Sequence, residues 1–185
     1  MSTAMYALVF IVIGIAAWSV ATYNNLVKLR NLCGEAWSGI DVQLKRRTNL
    51  IPNLLETVKG YVRHERELFE KVTSARAKAL RASSPDERSG AERLLTSSLR
   101  GLFAVAENYP ELKANQNFLS LQEELSGIED QIQMARRYYN GTVRNMNTAI
   151  EIFPNSIIAG MFGFKKQPFF ELKDDSQRSV PKISF

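Results

Sequence analysis

Few residues in this chain are of the types that chemistry demands, and their spacing suits it poorly. His64 is the one histidine and Cys33 the one cysteine among 185 residues. A nucleophilic triad needs a histidine oriented by an acid and facing a nucleophile, and nothing in the order of residues specifies such partners. Helical di-iron sites use Glu-x-x-His on two helices, whereas Tyr61 stands three positions before His64. A zinc centre needs more ligands than Cys33 and His64 supply. His64 beside Glu65 reads as a surface pair on a helix, and Cys33, set in an apolar stripe, as a buried inert thiol. Glu107, Glu123, Glu124 and Glu129 are spaced as solvated helix-face charges. No catalytic residue, cofactor or metal is expected, and the protein is expected not to be an enzyme.

Contact chemistry is better represented. Lys45-Arg46-Arg47 interrupts an otherwise apolar stripe, as a partner or lipid site would, or as a solvated helix end whose cations favour the C-terminal dipole. The candidate contacts are Lys45, Arg46, Arg47, His64 and Glu65, together with a second group near the carboxyl end. That group, Ile157, Ile158, Met161, Phe162, Phe164, Lys165 and Lys166, has the mixture of an interfacial segment. The competing reading packs it over the open end of a helical bundle. Asparagines recur beside apolar residues, among them Asn53, Asn115, Asn140 and Asn147, and read as caps and inter-helix hydrogen bonds.

The element that must position all of these is the amino-terminal stretch. Ala4 to Ala21 is uncharged, and no charged side chain precedes Lys28. As a helix its 18 residues would span about 27 Å, near the thickness of a bilayer core. Its large aliphatic members together favour insertion by roughly 2–5 kcal/mol. A cleaved signal would carry a basic stretch ahead of its apolar run, and this run has none. A retained anchor, residues 1–23, is therefore expected. Lys28, Arg30 and the 45–47 cluster then place the amino terminus outside and the body in the cytoplasm. The net charge of +5 comes from 24 basic and 19 acidic residues, intermingled in a way that suits anionic lipid and does not demand nucleic acid.

Beyond the anchor the apolar spacing is helical throughout. Leu26, Leu29, Cys33, Trp37, Ile40 and Leu44 share one face, continuing the membrane helix. Pro52 predicts a turn, with a kink as the alternative. Ser84-Pro85-Asp86-Glu87 is a helix start with a capping box, and Asn108-Tyr109-Pro110 is a stop. The cleanest seam runs Phe118, Leu121, Leu125, Ile128, Ile132, Ala135, Tyr139, Thr142, Met146, Ala149, Phe153. The pattern predicts an all-α protein whose transmembrane helix leads into an up-and-down four-helix bundle over about 24–47, 50–82, 85–107 and 115–153. Residues 24–153 would form the bundle, and 154–185 an apolar patch and extended tail. Helices that alternate in direction return Ile157–Phe164 to the membrane end.

The ordered motifs also carry a resemblance. Tyr23-Asn24-x-Leu26-Val27, Ala36-Trp37 and Ile40-Asp41-Val42-Gln43-Leu44-Lys45-Arg46-Arg47 lead into Leu50-Ile51-Pro52-Asn53-Leu54. Then follow Val58-Lys59-Gly60-Tyr61, His64-Glu65, Ala75-Arg76, Glu107 to Asn115 (ENYPELKAN), Tyr139-Asn140, Phe153-Pro154 and Pro181-x-Ile183-x-Phe185. Over its whole length the chain resembles the LemA family of bacterial membrane proteins, departing at Thr48-Asn49. The resemblance implies one membrane helix with a short external end, a cytoplasmic four-helix bundle and no established enzymatic activity. It also implies links, in some relatives, to the shaping of intracellular membranes and, in others, to membrane proteases or cell-surface processes.

The expected function is a non-enzymatic scaffold or adaptor at the inner face of the bacterial cytoplasmic membrane. Its expected partners are the lipid bilayer, membrane proteins and further copies of itself, with no nucleic acid. The alternative is an accessory or regulatory subunit of a membrane enzyme such as a protease.

Overall fold

The computed structural model describes residues 3–62 and 65–170. Among these the chain is all-helical, with six helices: α1 (Thr3–Lys59), α2 (Arg66–Arg81), α3 (Pro85–Ala106), α4 (Pro110–Lys113), α5 (Gln116–Glu151) and α6 (Asn155–Met161). His64 and the closing Pro181–Phe185 motif lie outside the described residues.

The expected turn at Pro52 is absent. α1 continues for 57 residues with Pro52 inside it, about 85 Å of helix. An interior proline costs a helix about 3 kcal/mol, because it cannot donate to the carbonyl four residues back. Here that carbonyl belongs to Thr48, and Arg76 of α2 satisfies it, its Nε donating at 2.8 Å. Thr48 is no cap for a new helix either. Its hydroxyl donates back to the carbonyls of Leu44 and Lys45 at 3.1 and 2.9 Å. The boundary expected between 47 and 50 therefore moves beyond Lys59, where Gly60 and Tyr61 leave the helix.

Local signals hold elsewhere. The Ser84 side chain accepts from the Glu87 backbone N–H at 3.2 Å, and the Glu87 carboxylate accepts from the N–H groups of Ser83 and Ser84 at 3.1 and 3.3 Å. Those backbone donors hold the Glu87 carboxyl below its ordinary range. The Asn115 side chain accepts from the Phe118 N–H at 3.0 Å and starts α5. Along α5 every expected seam position from Phe118 to Ala149 is buried or half-buried. The helix ends at Glu151, which leaves Phe153 outside it and 77% exposed.

The chain divides into two compact units, residues 3–42 with 132–169 and residues 43–131 with 170. The lengths explain the division. With 16 and 22 residues, α2 and α3 can flank only part of the 36-residue α5.

Within 43–131 four helical segments alternate in direction. Arg47 meets Glu92 and Glu129, so α1, α3 and α5 share that level. Phe103 meets Phe118, and Lys59 lies over the ring of Phe69. Arg76 returns to Thr48. Thus α1 and α3 run one way, α2 and α5 the other. Ile51, Leu54, Leu95, Leu102 and Leu112 are fully buried in the core between them. At about 1.5–3 kcal/mol for each large side chain, this layer is the main source of cohesion.

Within the other unit α1 and α5 are antiparallel. The Trp37 and Tyr139 rings lie 5.4 Å apart at a tilt of 58°, while Leu26, eleven positions earlier, packs with Ala149 and Ile150.

Candidate functional site

Two groups of residues stand out, one in each unit. The first is a buried polar cluster in 43–131. Arg47, expected as a surface contact beside Lys45 and Arg46, is only 6% exposed. It follows Leu44 by three and precedes Ile51 by four, so the helix aims it inward. Its Nη1 lies 3.4 Å from Glu92 Oε2 and 3.1 Å from Glu129 Oε2, and its Nη2 donates to Thr96 Oγ1 at 3.0 Å. Lys45 and Arg46 stay exposed. Glu92 is 2% exposed. Burial raises its carboxyl to about 7, against the pull of Arg47 and Arg88 and with a smaller push from Glu129. A raised carboxyl is what a general acid needs, but this one is almost wholly buried. The arrangement ties α1, α3 and α5 together.

The same unit accounts for much of the ENYPELKAN stretch. Pro110–Lys113 forms a single helical turn, α4, and Asn115 both caps α5 and donates to the Tyr61 hydroxyl at 2.8 Å. Of the candidate pair, Glu65 is half-buried at the start of α2, without a side-chain capping bond, and His64 is not described. Among the described residues no group of three or more His, Cys, Asp or Glu could hold a metal ion.

The second group surrounds α6. This helix presents two kinds of side chain. Ile158 and Ala159, 5% and 3% exposed, pack with Leu26, Ala149, Ile150 and Phe164. Ile158 is thereby removed from the contact set, since the spacing that exposes its neighbours turns it inward. Ile157, Met161 and Phe162 remain exposed, and Phe164 is half-buried. Gly163, at φ +68°, ends the helix. Phe164 N–H donates to Ala159 O at 2.9 Å and Gly163 N–H to Gly160 O at 3.3 Å, the paired bonds of a Schellman stop.

The chain then returns along α5. Asn147 donates to the Gln167 carbonyl at 3.0 Å and accepts from its N–H at 2.8 Å. The Tyr139 hydroxyl donates to Pro168 O at 2.9 Å. Lys165 and Lys166 are exposed, with Lys166 paired to Glu151.

Residues 3–21 of α1 are almost all exposed, and α1 contains a stretch long and apolar enough to cross a membrane, none of it buried. Missed by sequence reasoning were Glu92 and Arg76, while Glu129, expected as a solvated helix-face charge, is instead paired with the buried Arg47. Each carried a positional signal, for they fall beside or within the apolar spacing of their helices.

Comparison with known proteins agrees with these motifs. The description "LemA family" matches residues 36–185. Protein LemA of Metamycoplasma hominis is 32% identical over 142 residues, which is 76% of this chain and 64% of that protein. The chain thus spans just under two thirds of that relative. Magnetosome protein MamQ of Magnetospirillum gryphiswaldense is 23% identical over 189 positions, covering 87% of this chain and 70% of that protein. Magnetosome protein MamQ 1 of Paramagnetospirillum magneticum is 23% identical over 188 positions, covering 88% and 69%. The family match over residues 36–185, with the ordered motifs and the all-helical architecture, makes this chain a member of the LemA family.

Proposed function

We propose that the protein is a non-enzymatic, membrane-anchored helical scaffold, which gathers partner proteins or copies of itself at the cytoplasmic face of a bacterial cell membrane. The observation that carries this reading is the uncharged apolar stretch at the start of α1, none of it buried. In water these eighteen residues forgo the roughly 25 cal/mol per Å² that removing apolar surface from water releases, whereas a bilayer core supplies it. Lys28 and Arg30, close after the stretch, favour a cytoplasmic body. The polar clusters support a structural role, because their charges are spent on helix contacts. The relatives named as magnetosome proteins favour a part in assembling a subcellular structure over turnover of a metabolite.

The test is photo-crosslinking in intact membranes from a reactive residue placed at the exposed Arg46 position. Discrete crosslinked species, either multiples of this chain or one partner, are expected. A chain that remains monomeric and uncrosslinked would overturn the scaffold reading. Capture of an enzyme whose turnover changes when this protein is removed would replace it with an accessory-subunit role.

A further inference from the structure

Among the described residues, nothing covers the face of α6 that is turned away from Leu26. Met161 is 73% exposed, Phe162 58% and Ile157 52%, with Phe153 at 77% just ahead of them. Packing over a helix end accounts for Ile158 and Ala159 and leaves these four unexplained. Clustered exposed apolar side chains of this size mark an interaction surface.

Their height along α1 identifies the surface. The ring of Phe162 lies 4.7 Å from that of Tyr23, and Phe164 lies 5.9 Å from it. Tyr23 stands two positions beyond Ala21, the end of the apolar run, so these rings sit about 3 Å past that end. The first cations follow Tyr23 by five and seven positions, at Lys28 and Arg30. The Arg30 guanidinium is 5.5 Å from the centre of the Phe164 ring, and Lys165 and Lys166 follow directly. Aromatic and aliphatic side chains beside lysine and arginine, at the level where a spanning helix leaves the acyl region, have the composition of an interfacial segment.

We propose that residues 153–166 form a second membrane contact. In this reading α6 lies in the headgroup–acyl boundary of the leaflet from which α1 emerges, with Phe153, Ile157, Met161 and Phe162 among the upper acyl chains. Lys165 and Lys166 meet the headgroups of anionic phospholipids. The Gly163 stop turns the chain so that the lysines follow the apolar face, and the Asn147–Gln167 bonds hold the return segment on α5. The foot is therefore built into the unit that carries the anchor. This inference rests on the membrane-anchored reading above.

The experiment uses the full chain reconstituted in phosphatidylcholine vesicles containing one third phosphatidylglycerol. In a Cys33→Ala background, a fluorophore is attached at Met161→Cys, with Val12→Cys as the span probe and Ile157→Cys as a second foot probe. Lipids brominated near the headgroup or deep in the acyl chain then report depth. At least a twofold drop in Met161 emission is expected from shallow bromines, with less from deep ones, while the Val12 probe shows the reverse order. Lys165→Glu with Lys166→Glu should at least halve the shallow quenching at Met161 and leave Val12 unchanged. Quenching at Val12 but at neither foot position would overturn the second contact while leaving the anchor standing. No quenching at Val12 would overturn the anchored reading itself. Foot probes that crosslink to another copy without lipid quenching would assign the patch to self-association, against this proposal. Foot quenching indifferent to the lysine reversal would overturn the anionic-headgroup component.

Discussion

With Arg47 on one side and Glu129 close by, the Glu92 carboxyl meets opposed demands. Burial favours its neutral form and the guanidinium favours its charged form. The first is larger, raising it from 4.5 to about 7. A carboxyl raised on folding binds its proton more tightly in the native state than in the unfolded chain. Its contribution to stability is therefore complete below about 4.5 and is lost as pH rises through about 7. Between pH 5.5 and 8 the thermal midpoint of the native chain should fall more steeply than that of Glu92→Gln; parallel slopes would refute the assignment. Arg47→Ala should cost about 3–5 kcal/mol at pH 8, where it strands a buried charge, and less at pH 5.5. Charged residue types drew Arg47 and Glu129 toward a solvent-facing reading and gave Glu92 no reading at all. Their spacing said otherwise, since Arg47 continues the stripe from Leu44 to Ile51 and Glu92 falls three before Leu95. What no single stretch of sequence displays is that charges from three separate helices meet.

At the scale of elements, Pro52 and Arg76 form one device. Removing the guanidinium as Arg76→Met should leave the Thr48 carbonyl without a donor, at about 1–3 kcal/mol. In a Pro52→Ala background the new backbone N–H can reach that carbonyl, so the same substitution should cost much less. Chemical unfolding of the four variants measures the coupling, and additive costs would show that the two residues act independently. This pairing explains why the end of α1 was illegible while other boundaries were legible. The Ser84 cap and the α5 seam are decided by residues within four positions of one another, so their geometry is written locally. Whether a proline ends a helix depends here on a donor 28 positions beyond the carbonyl it frees. The ending of α5 before Phe153 was likewise hidden, because the apolar period continues one step beyond the last helical turn.

For the molecule as a whole, a stretch long and apolar enough to cross a membrane follows from composition alone. Val12→Arg places a charge near the middle of the apolar stretch, a change of about 3–4 kcal/mol against roughly 2–5 kcal/mol favouring insertion. Most of the variant should leave the membrane pellet on alkaline extraction, and full retention would contradict a single spanning segment. The division into two units was less legible, since one uninterrupted seam runs through both. The polar contacts have a further bearing on how one structure is selected. Layers of leucine and alanine fit almost as well when a helix slides one turn, about 5.4 Å, past its neighbours. The Arg47 cluster and the Arg76–Thr48 bond do not, for such a slip would leave guanidinium, carboxylate and carbonyl groups buried and unmatched. They act as alignment pins, giving a nearly uniform apolar interior a single admissible register.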